Sequence, residues 1–139
     1  MDNNKSPGIN FNYIHLVASC VNLLDASADL NYGLAVTKID RKEISETEMV
    51  AFIYFDLMKG IENPPFSFTA TYAVSYLRAD DAALSWEEFN NGFILSHVLP
   101  YFREFVTSVT QRLPVPPVYI PPTNVKTLLS AYEGTTSPE

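Results

Sequence analysis

The residue types that most often carry catalysis or bind a metal are scarce in this sequence. His15 and His97 are its two histidines and Cys20 its one cysteine, and none has a partner at metal-ligand spacing. The five glycines never occur as Gly-x-Gly, and there is no Gly-x-Ser-x-Gly motif. The sequence therefore predicts a protein without enzyme activity, metal or cofactor, in which both histidines have structural or surface roles.

Four carboxylates form the remaining candidate for a chemical site. Asp80 and Asp81 precede Glu87 and Glu88, a spacing that would suit a cation. A solvated loop that leads into the first turn of a helix explains the same residues better, because acidic side chains stabilise the positive end of the helix dipole. We therefore predict no cation site here.

Length and composition indicate one folded domain that covers residues 1–139, with flexible ends at 1–8 and 134–139. Apolar residues make up 47% of the sequence and include nine Phe and eight Tyr. The net charge of −7 argues against nucleic acid or an anionic membrane surface as a partner. Neither a signal peptide nor an apolar run of about 20 residues is visible, so the expected location is the cytoplasm.

Alternating apolar and polar residues predict four strands, at residues 9–21, 30–39, 48–58 and 64–77. In the first strand the alternation shifts between Tyr13 and Ile14, as a β-bulge would produce. The third strand is apolar on both faces, which indicates a strand covered on both sides. The connections are too short for helical crossovers, so the sheet is expected to be antiparallel.

A long apolar helix is predicted after the strands. Ser85 and Glu88 have the spacing of a capping box, and an apolar three-four rhythm continues from there to Leu113. Pro100 lies inside this pattern and cannot donate a backbone hydrogen bond. The helix is therefore expected to be kinked at Pro100, or split so that a second helix starts there.

A short last helix is predicted from Thr123 or Asn124 to Gly134, because apolar residues recur at helical spacing between these two signals. The predicted fold class is therefore α+β. It consists of a four-stranded antiparallel sheet, a long kinked or split helix and a short C-terminal helix.

These elements present more apolar surface than one subunit would bury. Such surface marks an interface between subunits or a binding groove, and both interpretations stay open. The side chains expected at a subunit interface are Ile9, Ile14, Leu16, Phe89, Phe93 and Phe102. The side chains expected to line a peptide-binding groove between the sheet and the C-terminal segment are Phe11, Tyr13, Tyr32, Phe55, Val118, Tyr119 and Ile120. Prolines around the last three hold the backbone extended.

Residues 96–132 contain a helix with a proline-aromatic start and an Arg-Glu pair, an extended apolar segment, and a Pro-Pro-x-Asn turn. The residues of these motifs are Leu99, Pro100, Tyr101, Arg103, Glu104, Pro121, Pro122, Thr123 and Asn124. In these motifs the chain resembles the C-terminal half of the SecB export chaperone family. The resemblance implies a cytoplasmic holdase, built as a dimer of dimers, that binds unfolded polypeptides in apolar grooves without ATP.

Two features depart from that family. Val125 stands where the family usually has Phe, and the first strand lacks the acidic pattern that members present to the translocase motor. A SecB-like protein with other clients, such as the antitoxin of a toxin–antitoxin pair, accommodates both departures. The alternatives are a SecB-fold adaptor without client binding and a small hot-dog-like enzyme, although the hot-dog fold places its helix early among the strands.

Overall fold

The computed structural model describes residues 8–136, which form four strands followed by two helices. The strands are β1 (Ile9–Leu23), β2 (Ala35–Glu43), β3 (Glu48–Asp56) and β4 (Phe66–Arg78), and the helices are α1 (Asn91–Thr110) and α2 (Val125–Thr136). The predicted α+β class, with all strands before the helices, is confirmed. Of the two ends predicted to be flexible, residues 1–7 and 137–139 lie outside the described residues.

The strands form one antiparallel sheet in the order β1-β4-β3-β2. β1 is a 15-residue edge strand with register shifts between Phe11 and Tyr13 and between Leu16 and Ala18. The alternation predicted the first shift to within a residue and missed the second. Each shift adds one residue to β1, and this returns its apolar side chains to the face that the helices cover.

β2 begins at Ala35, later than the alternation from Leu30 predicted. The preceding residues form a loop in which Gly33 makes an isolated bridge. A Cβ on Gly33 would lie 2.3 Å from the carbonyl oxygen of Lys59, so this close approach requires glycine. The apolar residues Leu30 and Leu34 pack against the core from the loop, which explains why their spacing was mistaken for a strand.

The helices cover one face of the sheet, the inner face. Its centre consists of fully buried side chains of β3 and β4, among them Phe55, Phe68 and Tyr76. α1 packs on them through Phe102, whose ring stacks on Phe55 with 4.4 Å between centroids. Burial of each such side chain contributes about 1.5–3 kcal/mol, so this cluster is a major source of stability.

The outer face of the sheet carries the second set of apolar side chains of β3. Phe52 and Tyr54 are half-buried there, and lysines of β2 cover them. The amino nitrogen of Lys38 lies 5.5 Å from the ring centre of Tyr54, and that of Lys42 lies 5.7 Å from the ring centre of Phe52. β3 is therefore covered on its second side by lysine side chains, which contact the apolar rings while their charges stay in water.

α1 begins later than the capping box predicted. The box itself forms, with the N–H of Glu88 donating to Ser85 Oγ at 3.2 Å and the N–H of Ser85 donating to Glu88 Oε1 at 2.9 Å. It closes an isolated turn. A second cap at Asn90, whose Oδ1 accepts from the N–H of Phe93 at 3.1 Å, starts the helix at Asn91. The start predicted at Ser85 is therefore wrong.

α1 continues through Pro100 to Thr110, so of the two alternatives predicted at Pro100, a kink or a split, the split does not occur. Pro100 lies on the exposed side of the helix. The carbonyl of Ser96, which loses its helical donor at Pro100, belongs to another exposed residue and can bond to water.

The cap of α2 is Asn124, as predicted, because its side chain accepts from the first free N–H groups of the helix. The helix extends to Thr136 and does not end at Gly134, so the predicted C-terminus is wrong. Tyr132 accepts a hydrogen bond from the N–H of Ile39 at 3.2 Å, and this contact joins α2 to β2.

Candidate functional site

The chain between the two helices carries a proline-rich stretch, residues 113–122, which we name the proline segment. Its prolines are Pro114, Pro116, Pro117, Pro121 and Pro122. Each fixes its own φ and favours an extended backbone at the residue before it. Val118 and Ile120 are 3% and 4% exposed, whereas Tyr119 between them is 67% exposed. The segment therefore has one side in the core and one side in solvent.

Three polar side chains of α1 hold the proline segment, and we name them the polar clamp: Arg103, Thr107 and Thr110. Arg103 Nε donates to the carbonyl of Ile120 at 3.0 Å, and Thr107 Oγ1 donates to the carbonyl of Val118 at 2.9 Å. The N–H of Val118 donates to Thr110 Oγ1 at 2.9 Å. The hydrogen bond to Thr110 is buried, so without it the N–H of Val118 would lack a partner, whereas the bonds from Arg103 and Thr107 are only partly buried.

Two open cavities lie along the exposed side of α1, and together they form what we name the α1 groove. One has a volume of about 360 Å³ and is lined by Pro100, Arg103, Glu104, Thr107, Tyr119 and Ile120. The other, of about 370 Å³, shares Pro100 and Glu104 and is completed by Tyr101. Tyr101 is 48% exposed, so the groove has exposed aromatic rings from both α1 and the proline segment.

Tyr72 connects the α1 groove to the inner face of the sheet. Its hydroxyl donates to the carbonyl of Tyr101 at 3.4 Å. Burial raises the pKa of Tyr72 to about 12, and the nearby negative charge of Glu104 adds to the effect. The phenol therefore remains a neutral hydrogen-bond donor throughout the physiological range of pH.

A second apolar site lies between β1 and the first half of α1, and we name it the aromatic pocket. It encloses about 180 Å³ and is lined by Ile9, Phe11, Tyr76, Phe89, Phe93, Ser96 and His97. The hydroxyl of Tyr76 lies 3.1 Å from His97 Nδ1, and burial raises the pKa of Tyr76 above its ordinary value. The ring of Phe11 packs by its edge against both Tyr76 and His97. The pocket is shaped for an apolar or aromatic side chain.

The structure does not bring the seven predicted groove residues into one groove. Phe55 is only 1% exposed, and Val118 and Ile120 are buried as well. Phe55 belongs to the core because α1 lies over it, and the other two point inward because the proline segment alternates. These three side chains are not available at the surface of one chain, and their assignment as groove lining is corrected accordingly.

The other four predicted groove residues lie at separate places. Tyr119 lines the α1 groove and Phe11 lines the aromatic pocket. Tyr32 is exposed in the loop before β2. Tyr13 lies on the outer face, where its ring stacks on His15 at 4.8 Å. The register shift after Phe11 causes this separation, because Phe11 and Tyr13 pair with successive residues of β4, which point to opposite faces.

Some of the predicted interface residues reach the surface, and others belong to the core. Leu16 and Phe93 are 41% and 53% exposed, and Ile9 and Ile14 are half-buried. Phe89 and Phe102 belong to the core cluster, and Phe102 is fully buried. The assignment of Phe102 to an interface is corrected, because the sheet of its own subunit covers it.

Sequence reasoning missed the polar clamp and the role of Tyr101 in the groove. A signal for the clamp was present, since Thr107 and Thr110 interrupt the apolar stripe of α1 one turn apart. Hydroxyls on a buried helix stripe need partners, and a following segment of prolines offers carbonyls but few N–H groups.

Within residues 8–136, no group of His, Cys, Asp or Glu side chains is arranged to hold a metal ion. Neither helix of that part of the chain is long and apolar enough to cross a membrane.

A four-stranded antiparallel sheet followed by a long helix, an extended segment and a short helix is the SecB-like fold, and the predicted fold is confirmed. A solved structure that shares it is the SecB-like chaperone Rv1957 of Mycobacterium tuberculosis in complex with a ChAD peptide from the HigA1 antitoxin Rv1956. It aligns with a TM-score of 0.66 and 18% identity over 83% of this chain and 90% of that chain.

A protein of unknown function from Streptococcus agalactiae aligns with a TM-score of 0.43 and 10% identity, over 81% of this chain and 96% of its own. No family model matches the sequence, and no curated protein matches it either.

Proposed function

We propose that the protein is an ATP-independent holdase chaperone that binds non-native polypeptides. The observation that carries the proposal is the α1 groove, in which exposed Tyr101 and Tyr119 flank a backbone segment held extended by prolines and the polar clamp. Aromatic rings contribute large contact area at little rotamer cost, so they suit clients of varied sequence. The fold supports the same function, because Rv1957 is a chaperone that binds a peptide.

The client surface that we propose consists of the α1 groove and the aromatic pocket. Phe11 and Tyr119 remain from the predicted groove, Tyr101 joins them, and Tyr32 is proposed as an outlying contact. Both sites include residues of α1, so separate parts of one extended chain would occupy them. Non-native polypeptides expose apolar side chains along their length, and they match a surface of this kind.

A homo-oligomer, most simply a dimer of dimers, is part of the proposal. β1 is a long edge strand whose outward backbone groups need partners, and a second copy of β1 can supply them. The exposed side chains of Leu16 and Phe93 lie beside or above this edge and would be covered in the same assembly. We propose the cytoplasm as its location and an antitoxin as one class of client; a translocase motor is left outside the proposal.

The direct test is suppression of aggregation. Insulin aggregates when its disulfides are reduced, and light scattering follows the process. We expect near-stoichiometric amounts of the protein to suppress scattering without ATP, and Tyr119→Ala to suppress it less. Tyr13→Ala, on the outer face, is the matched control and should behave like the parent.

A SecB-fold adaptor without client binding is the second candidate. The exposure of Phe11 and Phe93 beside the unpaired β1 edge is compatible with it, because a partner subunit alone could cover both rings. An oligomer that fails to suppress insulin aggregation at any ratio would favour the adaptor and refute the holdase.

A further inference from the structure

The polar clamp fixes the direction of the backbone groups of the proline segment. The N–H of Val118 donates to Thr110, and the C=O of Val118 accepts from Thr107, so both point towards α1. The described peptide bonds are trans, and in a trans peptide the C=O and the N–H point in opposite directions. The C=O of Pro117 and the N–H of Tyr119 therefore point away from α1.

The carbonyl of Tyr119 also points outward, because the N–H and the C=O of one residue share a side in an extended chain. Within residues 8–136, these three outward groups have no hydrogen-bond partner. Pro117 and Pro121 have no N–H, so Tyr119 is the outward donor between them. The edge offers two acceptors and one donor, and the exposure of Tyr119 leaves it open to solvent.

We propose that this edge is a docking strand that pairs with the backbone of an extended polypeptide. The inference rests on the proposed function and adds how a client is held. One client residue donates its N–H to the carbonyl of Tyr119 and accepts from the N–H of Tyr119, as in a hydrogen-bonded pair of an antiparallel sheet. Backbone pairing does not depend on the client's side chains, whereas the rings of Tyr101 and Tyr119 contribute apolar contact.

The composition of the edge favours a non-native polypeptide over a second copy of the proline segment. An ordinary polypeptide has an N–H at every residue except proline, and it can satisfy an edge richer in acceptors than in donors. A second proline segment would bring the same acceptors, so carbonyls would face carbonyls.

The test is a comparison of Tyr119→Ala with Tyr119→Pro. Both variants lack the ring, and only the second lacks the N–H. Proline is compatible with the extended backbone between Pro117 and Pro121. With reduced and carboxymethylated α-lactalbumin as the unfolded client, we expect Tyr119→Pro to bind roughly two- to tenfold more weakly than Tyr119→Ala, the effect of one backbone hydrogen bond. Equal affinities of two folded variants would overturn the proposal.

Hydrogen exchange provides a measurement that needs no variant. Five of the ten residues of the proline segment are prolines without an exchangeable amide, and electron-transfer fragmentation separates the three adjacent amides of residues 118–120. The amide of Val118 should exchange slowly with or without client, since Thr110 already binds it. The amide of Tyr119 should exchange fast in the free protein and at least about tenfold more slowly with α-lactalbumin bound.

The outcomes separate this proposal from the function on which it rests. If α-lactalbumin binds the parent protein while the Tyr119 amide stays fast, the docking strand is refuted and the holdase stands. If α-lactalbumin does not bind the parent protein at all, the holdase is refuted and the docking strand with it.

Discussion

Replacement of Thr110 by Val tests how the proline segment is held. Thr110 is fully buried, and its hydroxyl accepts from the N–H of Val118 at 2.9 Å. Valine has nearly the same shape, so the packing is preserved while the acceptor is lost. A buried N–H left without a partner costs about 1–3 kcal/mol, and we expect the free energy of unfolding to fall by about 2 kcal/mol.

The assay is urea unfolding followed by the fluorescence of Trp86, which is 6% exposed and becomes hydrated on unfolding. At a slope of about 2 kcal/mol per molar urea, the expected loss lowers the midpoint by about 1 M. All variants must be compared at one protein concentration, because the apparent stability of an oligomer depends on it. Thr107→Val is the matched control.

Thr107 is half-buried and donates to a carbonyl, so its replacement should cost less than about 1 kcal/mol. If Thr110→Val has a free energy of unfolding within about 0.5 kcal/mol of the parent, the argument fails. The N–H of Val118 would then have another partner or contact with water, and the outward direction inferred for Tyr119 would lose its basis.

The remaining predictions concern the pH dependence of stability, the proline inside α1 and the assembly. The pKa of Tyr72 is about 12 in the folded chain, against the ordinary tyrosine value of 10.0, so the unfolded chain loses this proton first. The free energy of unfolding should therefore fall as pH rises from 10 to 12, and Tyr72→Phe should flatten the urea midpoints measured across that interval. Tyr76→Phe should act in the same direction, because burial raises that pKa as well. Pro100→Ala restores a helical donor for Ser96 and should leave the free energy of unfolding unchanged or raise it by up to about 3 kcal/mol; a clear loss in urea would show that the ring of Pro100 packs on something important. The parent should sediment as an oligomer of the 15.6 kDa chain and Phe93→Ser as a smaller species, whereas a monomeric parent at micromolar concentration would contradict the interface.

The strands in the middle of the sheet were predictable from sequence. β3 and β4 have neighbours on both edges and a covered inner face, so the alternation of β4 and the continuous apolar run of β3 reflect burial directly. β2 was less predictable, because Leu30 and Leu34 are half-buried residues of a loop that pack against the core with the same spacing as in a strand. The start of α1 was misplaced because the chain has two capping residues in succession, Ser85 and Asn90. Both make capping hydrogen bonds, so these local bonds alone do not show that the helix begins after the second.

The candidate site was predictable only in part. Tyr119 was predicted to line a peptide-binding groove; it is exposed and lines the α1 groove, and its part in binding stays a prediction. Phe55 and Phe102 were assigned to surfaces because pattern alone marks a side chain as apolar and does not say which element covers it. Each covers the other in the fold, through a long-range stacking contact that no local spacing encodes.

The lysines over Phe52 and Tyr54 have a consequence for the behaviour of the protein in solution. The helices cover the inner face of the sheet, where the proposed client sites lie, whereas on the outer face Lys38 and Lys42 place charge above apolar rings. A protein with exposed apolar surface for clients is itself prone to self-association. The ammonium groups oppose face-to-face association of two outer faces, because like charges repel. Acylation of these two lysines would remove the charges, and the outer faces of two molecules would then associate through their apolar rings.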